Sequence, residues 1–283
     1  MNQLSTADRA RIIAVLVEGN SLRATARITA FARMTVEKLL RDLGTACLDY
    51  QNATLRDLPC KRIQCDEIWS FTYAKQKNLP PAKQRRPGFG DTWTWTALCA
   101  DTKLVPCWLV GPRDARAART FLFDLSLRVR GRFQLTTDGH SAYPDSVERV
   151  FGREIDYATL TKLFGTDLET EKRYSPAHLT GVQAATISGD PDVRHVSTSY
   201  VERQNLTMRM SMRRFTRLTN GFSKKVENHA HAIALHFMYY NFARVHSSLR
   251  VSPAMAAGVT THLWGVEEIA GLLDRAAGER LSA

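Results

Sequence analysis

A carboxylate pair sits inside the most strand-like run of this sequence. Residues 62–73, RIQCDEIWSFTY, alternate in character and are rich in Ile, Trp, Phe and Tyr, the composition of a half-buried strand. A buried carboxylate without a partner is expensive, so the fold must bring a compensating group to Asp66. Glu67 should point to the opposite face of the strand and is read as structural or supporting. The chain then continues with a basic, Pro-rich stretch, KQKNLPPAKQRRPGFGD, read as an exposed hairpin loop. TWTWTALCAD and LVPCWLVG follow, joined by DTK as an antiparallel pair. DARAARTFLFDLSLRVRG is an amphipathic helix with Ala118, Phe121, Leu122 and Leu125 inward. RFQLTTDG is a short strand that ends in Asp138, and SAYPDSVERVFG is another short helix. Three strands, a helix, a strand and a helix imply an α/β fold. Beyond residue 154 the pattern gives a strand at IDYATLTKLF, a polar loop, and helices at about Tyr200–Phe215 and Ser223–Val245.

The N-terminal part has a different texture. Ser5 or Thr6 can cap a helix that buries Ile12, Ile13, Leu16 and Val17; Ser21 can cap a second and Thr35 a third. Three short helices with tight breaks follow the helix-turn-helix plan, whose third helix enters the major groove. ARITAFARMTV resembles that consensus, with Ala26 at the close-packed position and Ala30 where the turn usually has glycine. The expected organisation is a helix-turn-helix domain over 1–45, a linker over 46–60, a catalytic α/β domain over 61–250 and a helical tail over 251–283. A formal charge of +11 points to a polyanionic partner, most often nucleic acid. No apolar run is long enough to span a bilayer, and no secretory leader is read at the start. The five cysteines form no CxxC pair and read as reduced structural thiols.

Three acids occupy comparable places: Asp66 inside the first strand, Asp138 closing the fourth, and Glu202 opening the helix of TSYVERQNLTMRMSMRRFTR. Glu202 alone could be a first-turn acid complementing the helix dipole. Strand ends and helix starts converge at one edge of an open α/β sheet. Convergent carboxylates repel unless a cation lies between them, and hard ions such as Mg²⁺ or Mn²⁺ suit such ligands. His229, His231 and His236 read as surface or core residues, because 229 and 231 fall on different helix faces and no cysteine pairs with them.

The motifs CDEIWSF, TTDGHSAY and TSYVERQN, in this strand order, resemble those of the DDE transposases and retroviral-type integrases. The later HFMYYNFARVHSSLRVSPAMAAGV is similar to bacterial transposases of the insertion-sequence-one type. The resemblance implies an RNase H-like catalytic domain, a mixed sheet flanked by helices, in which Asp66, Asp138 and Glu202 are catalytic and hold Mg²⁺ (Mn²⁺ substituting), as two ions. It places Arg209 at the basic position of the signature. The DNA contacts expected with it are Arg203, Asn205, Arg209, Arg213, Arg214, Lys224 and Lys225, with Arg33 and Lys38 on the N-terminal domain. The implied activity is DNA transposition: binding terminal inverted repeats, cleaving a 3′ end and transferring the strand, as a homodimer or larger assembly on double-stranded DNA in the bacterial cytoplasm and nucleoid. A DNA-binding regulator that no longer cleaves, and a nuclease that never joins, remain as alternatives.

Overall fold

The computed structural model describes residues 4–165, 179–216 and 219–282, with side chains through 275. The loop expected after Phe164 falls largely on 166–178, and Arg217 on 217–218, outside the described residues. Three helices open the chain: α1 (Thr6–Val17), α2 (Leu22–Thr29) and α3 (Arg33–Thr54). Ser5 and Ser21 cap the first two, each side chain accepting from the backbone N–H three residues on at 3.1 Å. Ala30 ends α2 with φ 61°, the left-handed conformation that a glycine would adopt without strain.

A six-stranded sheet follows. Its strands are β1 (Arg62–Thr72), β2 (Gly90–Cys99), β3 (Trp108–Gly111), β4 (Gln134–Asp138), β5 (Asp156–Phe164) and β6 (Leu179–Ser188). The spatial order is β3-β2-β1-β4-β5-β6. β1, β4 and β5 are mutually parallel neighbours, and the remaining pairings are antiparallel. Helices α4 (Ala115–Ser126) and α5 (Ala142–Phe151) make the crossovers. They bury Phe121, Leu122, Tyr143 and Val147 with Ile63, Cys65, Trp95 and Leu135 of the sheet. The other face is covered by α6 (Ser199–Ser211) and α7 (Val226–Met238), where Val201, Met208, Ile233 and Phe237 meet Ile68 and Leu98. A turn of π-helix extends α7, and α8 (Pro253–Ala256) and α9 (Val266–Ser282) close the chain. All five cysteines are buried and free. Among the described residues no helix is long and apolar enough to cross a membrane.

Helix and packing run across the positions 45 and 60 at which the division was expected. α3 runs on to Thr54, burying Ala46, Cys47 and Gln51, and Leu55 and Leu58 are buried after it. Gln51 donates to Ala234 O on α7 at 3.2 Å. Gly44, mid-helix, lets the α7 backbone come so close that a Cβ there would lie 2.6 Å from His231 Cα. One apolar core joins Ile13 of α1, Leu43 and Cys47 of α3, the sheet, and Ile269 and Leu272 of α9. The C-terminal segment is thus packed against the N-terminal helices, with Arg9 paired to Asp274 at 2.8 Å. The helical periodicity of 33–54 is continuous, and what looked like a linker is the half of α3 that α7 covers. β6 is a second difference: it pairs with β5 but is exposed along most of its length, so it lacks the alternation that marks a half-buried strand.

Candidate metal centre

The parallel ladder between β1 and β4 ends at Cys65↔Thr137, and Asp66 and Asp138 are the next residue on each strand. Parallel register keeps partners on the same face, so the two carboxylates emerge side by side. α6 lies across that face. Gln64, two residues before Asp66, anchors it: Gln64 Oε1 accepts from Tyr200 N at 2.9 Å and Val201 N at 3.1 Å, two of the amides a helix start leaves unpaired. The helix then brings Asn205 onto Asp66, its Nδ2 donating to Asp66 Oδ2 at 2.8 Å. Asp66 Oδ1 accepts from Glu67 N at 2.8 Å, and Asp138 Oδ1 from His140 N at 3.0 Å.

Glu67, read from the sequence as structural or supporting, stands beside the two aspartates. It does leave the strand on the face of its β2 partner Trp95. Even so, one carboxylate oxygen from each of Asp66, Glu67 and Asp138 lies within 4.8 Å of the others. The three converge because Asp138 stands past the last ladder pair, where both faces of the sheet are within reach. Arg113 caps the group, donating from Nε to Glu67 Oε2 at 3.0 Å and lying 3.7 Å from Asp138 Oδ2. Its guanidinium stacks over Trp93 at 4.7 Å, and its loop is held by Trp95 Nε1 donating to Pro112 O at 3.0 Å. Nothing in the sequence singled out Arg113; the adjacency of Glu67 to Asp66 was the one available signal for the other.

Burial dominates the electrostatics. It pushes the Asp66 carboxyl up to about 6, with the charges of Asp138 and Glu202 adding to the rise. It pushes Glu67, whose side chain is fully shielded, up to about 7. Asn205 Oδ1 is buried without a hydrogen-bond partner, and the Tyr143 hydroxyl stands beside the Glu67 carboxylate. Converging carboxylate oxygens, two of the three groups destabilised as anions by desolvation, are what a hard divalent cation would satisfy. Asp66, Glu67 and Asp138 therefore fit such an ion.

Glu202 is near enough for its charge to raise Asp66, yet it stands outside the cluster. Its Oε2 is engaged by Lys162 of β5, and its Oε1 accepts from Thr198 Oγ1 at 2.6 Å. Lys162 shares the sheet face of Asp138, because Asp138 pairs with Leu160.

The residues expected to touch DNA divide into two groups. Arg203, Arg213, Lys224 and Lys225 are exposed, and Arg209 is half-buried in the last turn of α6. Arg33 and Lys38 are exposed but pair with Glu37 and Asp42 one turn on. Two of the expected contacts are engaged within the protein. Arg214 turns inward, donating to Ser223 Oγ at 2.6 Å and Asn228 O at 2.7 Å, and burial lowers its guanidinium to about 10. Asn205 is buried and holds Asp66, so its amide faces the carboxylates. His229 and His236 are buried, their basicity lowered by desolvation, with Ser70 and Ser223 against the ring of His229.

The sequence matches no protein-family model and no curated protein. Several solved structures are partly similar. One is piggyBac transposase in a synaptic complex with hairpin DNA, at 13% identity and TM-score 0.42 over 98% of this chain and 72% of that one. Another is Mos1 transposase in a paired-end complex with the left transposon end, at 14% identity and TM-score 0.22 over 56% of this chain and 60% of that one. A third is the Mos1 mariner paired-end complex with Mn, at 14% identity and TM-score 0.23 over 55% and 60%. Scores this low leave the chemistry to be read from the residues themselves.

Proposed function

We propose that this chain is a metal-dependent DNA transposase of the DDE kind, cleaving and rejoining phosphodiesters at the ends of an insertion sequence. The observation that carries the reading is the convergence of Asp66, Glu67 and Asp138 where the parallel β1–β4 ladder ends, with Asn205 and the Glu202 helix laid over them. The +11 charge and the motifs CDEIWSF, TTDGHSAY and TSYVERQN support a DNA substrate. Asp66, Glu67 and Asp138 would hold a divalent cation, Mg²⁺ or Mn²⁺, and Glu202 would join them or serve a second ion once Lys162 yields. Such an ion would supply Lewis-acid stabilisation of the charge that builds on a phosphodiester. The chain itself holds the acids in fixed places: β1 and β4 set Asp66 against Asp138, and Asn205 sets the rotation of Asp66. Misplacing such groups by about an ångström can lower rates on the order of a hundredfold. Arg203 and Arg209 on the helix that carries Glu202, with Arg213 in the turn after it, would hold phosphates on the solvent side. Handling two ends together calls for a homodimer or larger assembly on DNA.

The test uses the full chain with duplex DNA carrying the element's ends and Mg²⁺. Asp66→Asn, Asp138→Asn and Glu202→Gln should each leave end binding within a few-fold of wild type and lower nicking and joining by orders of magnitude. Near wild-type rates in all three would overturn the reading. Nicking without any joined product would make the chain a nuclease.

A further inference from the structure

Positive charge is unevenly neutralised over this molecule. On the α4–β4–α5 side several arginines are paired: Arg119 and Arg149 with Asp145, Arg128 with Asp124, and Arg132 with Asp156. The connection between β1 and β2, residues 74–89, contains Lys75, Lys77, Lys83, Arg85 and Arg86 and no acid. It is nonetheless built. Lys83 lies over the ring of Tyr73 at 3.5 Å and near that of Phe89 at 5.1 Å, and Lys75 over Trp69 at 5.7 Å. Leu79 is buried, Gln76 N donates to Asp91 Oδ1 at 3.0 Å, and Thr72 Oγ1 donates to Gly88 O at 2.8 Å. Pro80, Pro81 and Pro87 restrict the backbone further. Lys77, Arg85 and Arg86 are left exposed, and among the described residues none of them forms an ion pair.

The root of this finger is tied to the segment before α7. Tyr73 N donates to Ser223 O at 2.7 Å, and the Phe71 and Phe222 rings lie 5.1 Å apart. That seats Lys224 and Lys225, exposed and likewise without ion pairs among the described residues, at the finger's base. The neighbouring acids are Asp91, which accepts the Gln76 amide, and Glu227, exposed on α7.

We propose that the β1–β2 finger is a second DNA-binding element, which grips the phosphate backbone of duplex DNA at a distance from the cleaved bond. The inference rests on the reading that DNA is the substrate. Thr72 lies six residues along β1 from Asp66, about 20 Å at roughly 3.3 Å per residue. That is about six base pairs of duplex, which advances roughly 3.4 Å per pair. Duplex DNA is favoured over a lipid surface because, among the described residues, the large apolar side chain this connection exposes is Tyr73 at its root, and Lys83 lies over that ring.

The test compares the full-length wild type with the Lys77→Ala, Arg85→Ala, Arg86→Ala triple variant. Binding to a fluorescein-labelled 40-base-pair duplex would be followed by anisotropy between 50 and 200 mM KCl, as conditions chosen from the range over which phosphate binding responds to salt. Each phosphate left without its cation should lower the slope of log K against log [salt] by about 0.9, so the triple variant should lose about 2.7. Arg149→Ala, on the paired side, should not change the slope. An unchanged slope in a triple variant that melts like wild type overturns the inference. So does loss of binding to phosphatidylserine vesicles with duplex binding intact, which would assign the finger to a membrane surface. If wild type cleaves DNA and the triple variant keeps its slope, the finger fails alone. If wild type binds duplex with a slope that the triple variant loses, yet never cleaves, the enzymatic reading fails and the finger stands.

Discussion

Replacing Glu67 by Gln should make the metal-free protein more stable at alkaline pH, against the usual effect of altering a buried charged residue. Burial moves this carboxyl from its ordinary 4.5 to about 7. At about 1.4 kcal/mol per pKa unit, ionising it in the folded state costs about 3 kcal/mol relative to the unfolded chain. The sign follows from proton counting. Between about pH 4.5 and 7 the folded state holds a proton that the unfolded state has released, so wild-type stability falls as pH rises through that window. Gln does not titrate, so the variant's advantage should be near zero at about pH 4.5 and full by about pH 8. The attraction of Arg113 already acts within that shift, so the net gain at about pH 8 should be about 3 kcal/mol. Mn²⁺ should shrink it by about 1.3 kcal/mol: at about a hundred times Kd wild type gains about 2.7 kcal/mol, whereas a variant binding about tenfold more weakly gains about 1.4 at the same concentration. Urea unfolding at about pH 4.5, 6 and 8, with and without Mn²⁺, measures every quantity. A variant less stable than wild type at the highest pH without metal, or a difference that does not vary with pH, would refute the desolvation argument. An equal Mn²⁺ gain in both proteins would remove Glu67 from the metal centre.

Three further perturbations probe other parts of the structure. Gly44→Ala would put a Cβ 2.4 Å from His231 Cβ and 2.6 Å from its Cα, so α3 and α7 must separate, at about 1–3 kcal/mol or more. An unchanged thermal midpoint would mean that the two helices do not meet as described. Ala30→Gly relieves a left-handed residue at φ 61° and should stabilise by about 1 kcal/mol or less, after the entropy glycine loses on folding is subtracted; destabilisation would argue against that turn. Lys162→Met frees Glu202 from a pair whose side chains are 33% and 37% exposed, an interaction of about 1 kcal/mol or less. Calorimetric Mn²⁺ affinity should therefore rise, by no more than about fivefold, and weaker binding would show that Lys162 supports the site.

The expected order of strands and helices from Arg62 to Phe151 is the order observed, because alternation in a strand and the 3.6-residue period in a helix are local properties. For the same reason Ser5 and Ser21 were legible as caps, and Asp66 and Asp138 stood out as acids at strand positions where apolar residues belong. What the local pattern could not contain is which distant segment arrives beside a given residue. Arg214 reads as one more cation in a basic run, and only the approach of Ser223 and Asn228 turns it inward. The half of α3 beyond residue 45 reads as linker until α7 is laid against it at Gly44. Alternation sent Glu67 away from Asp66 correctly along one strand, but the site is made where β1, β4 and the Arg113 loop meet. Period-two geometry fixes the direction in which a side chain leaves its strand. Where a carboxylate finishes depends on the strand end beside it, and that was decided by the tertiary structure alone.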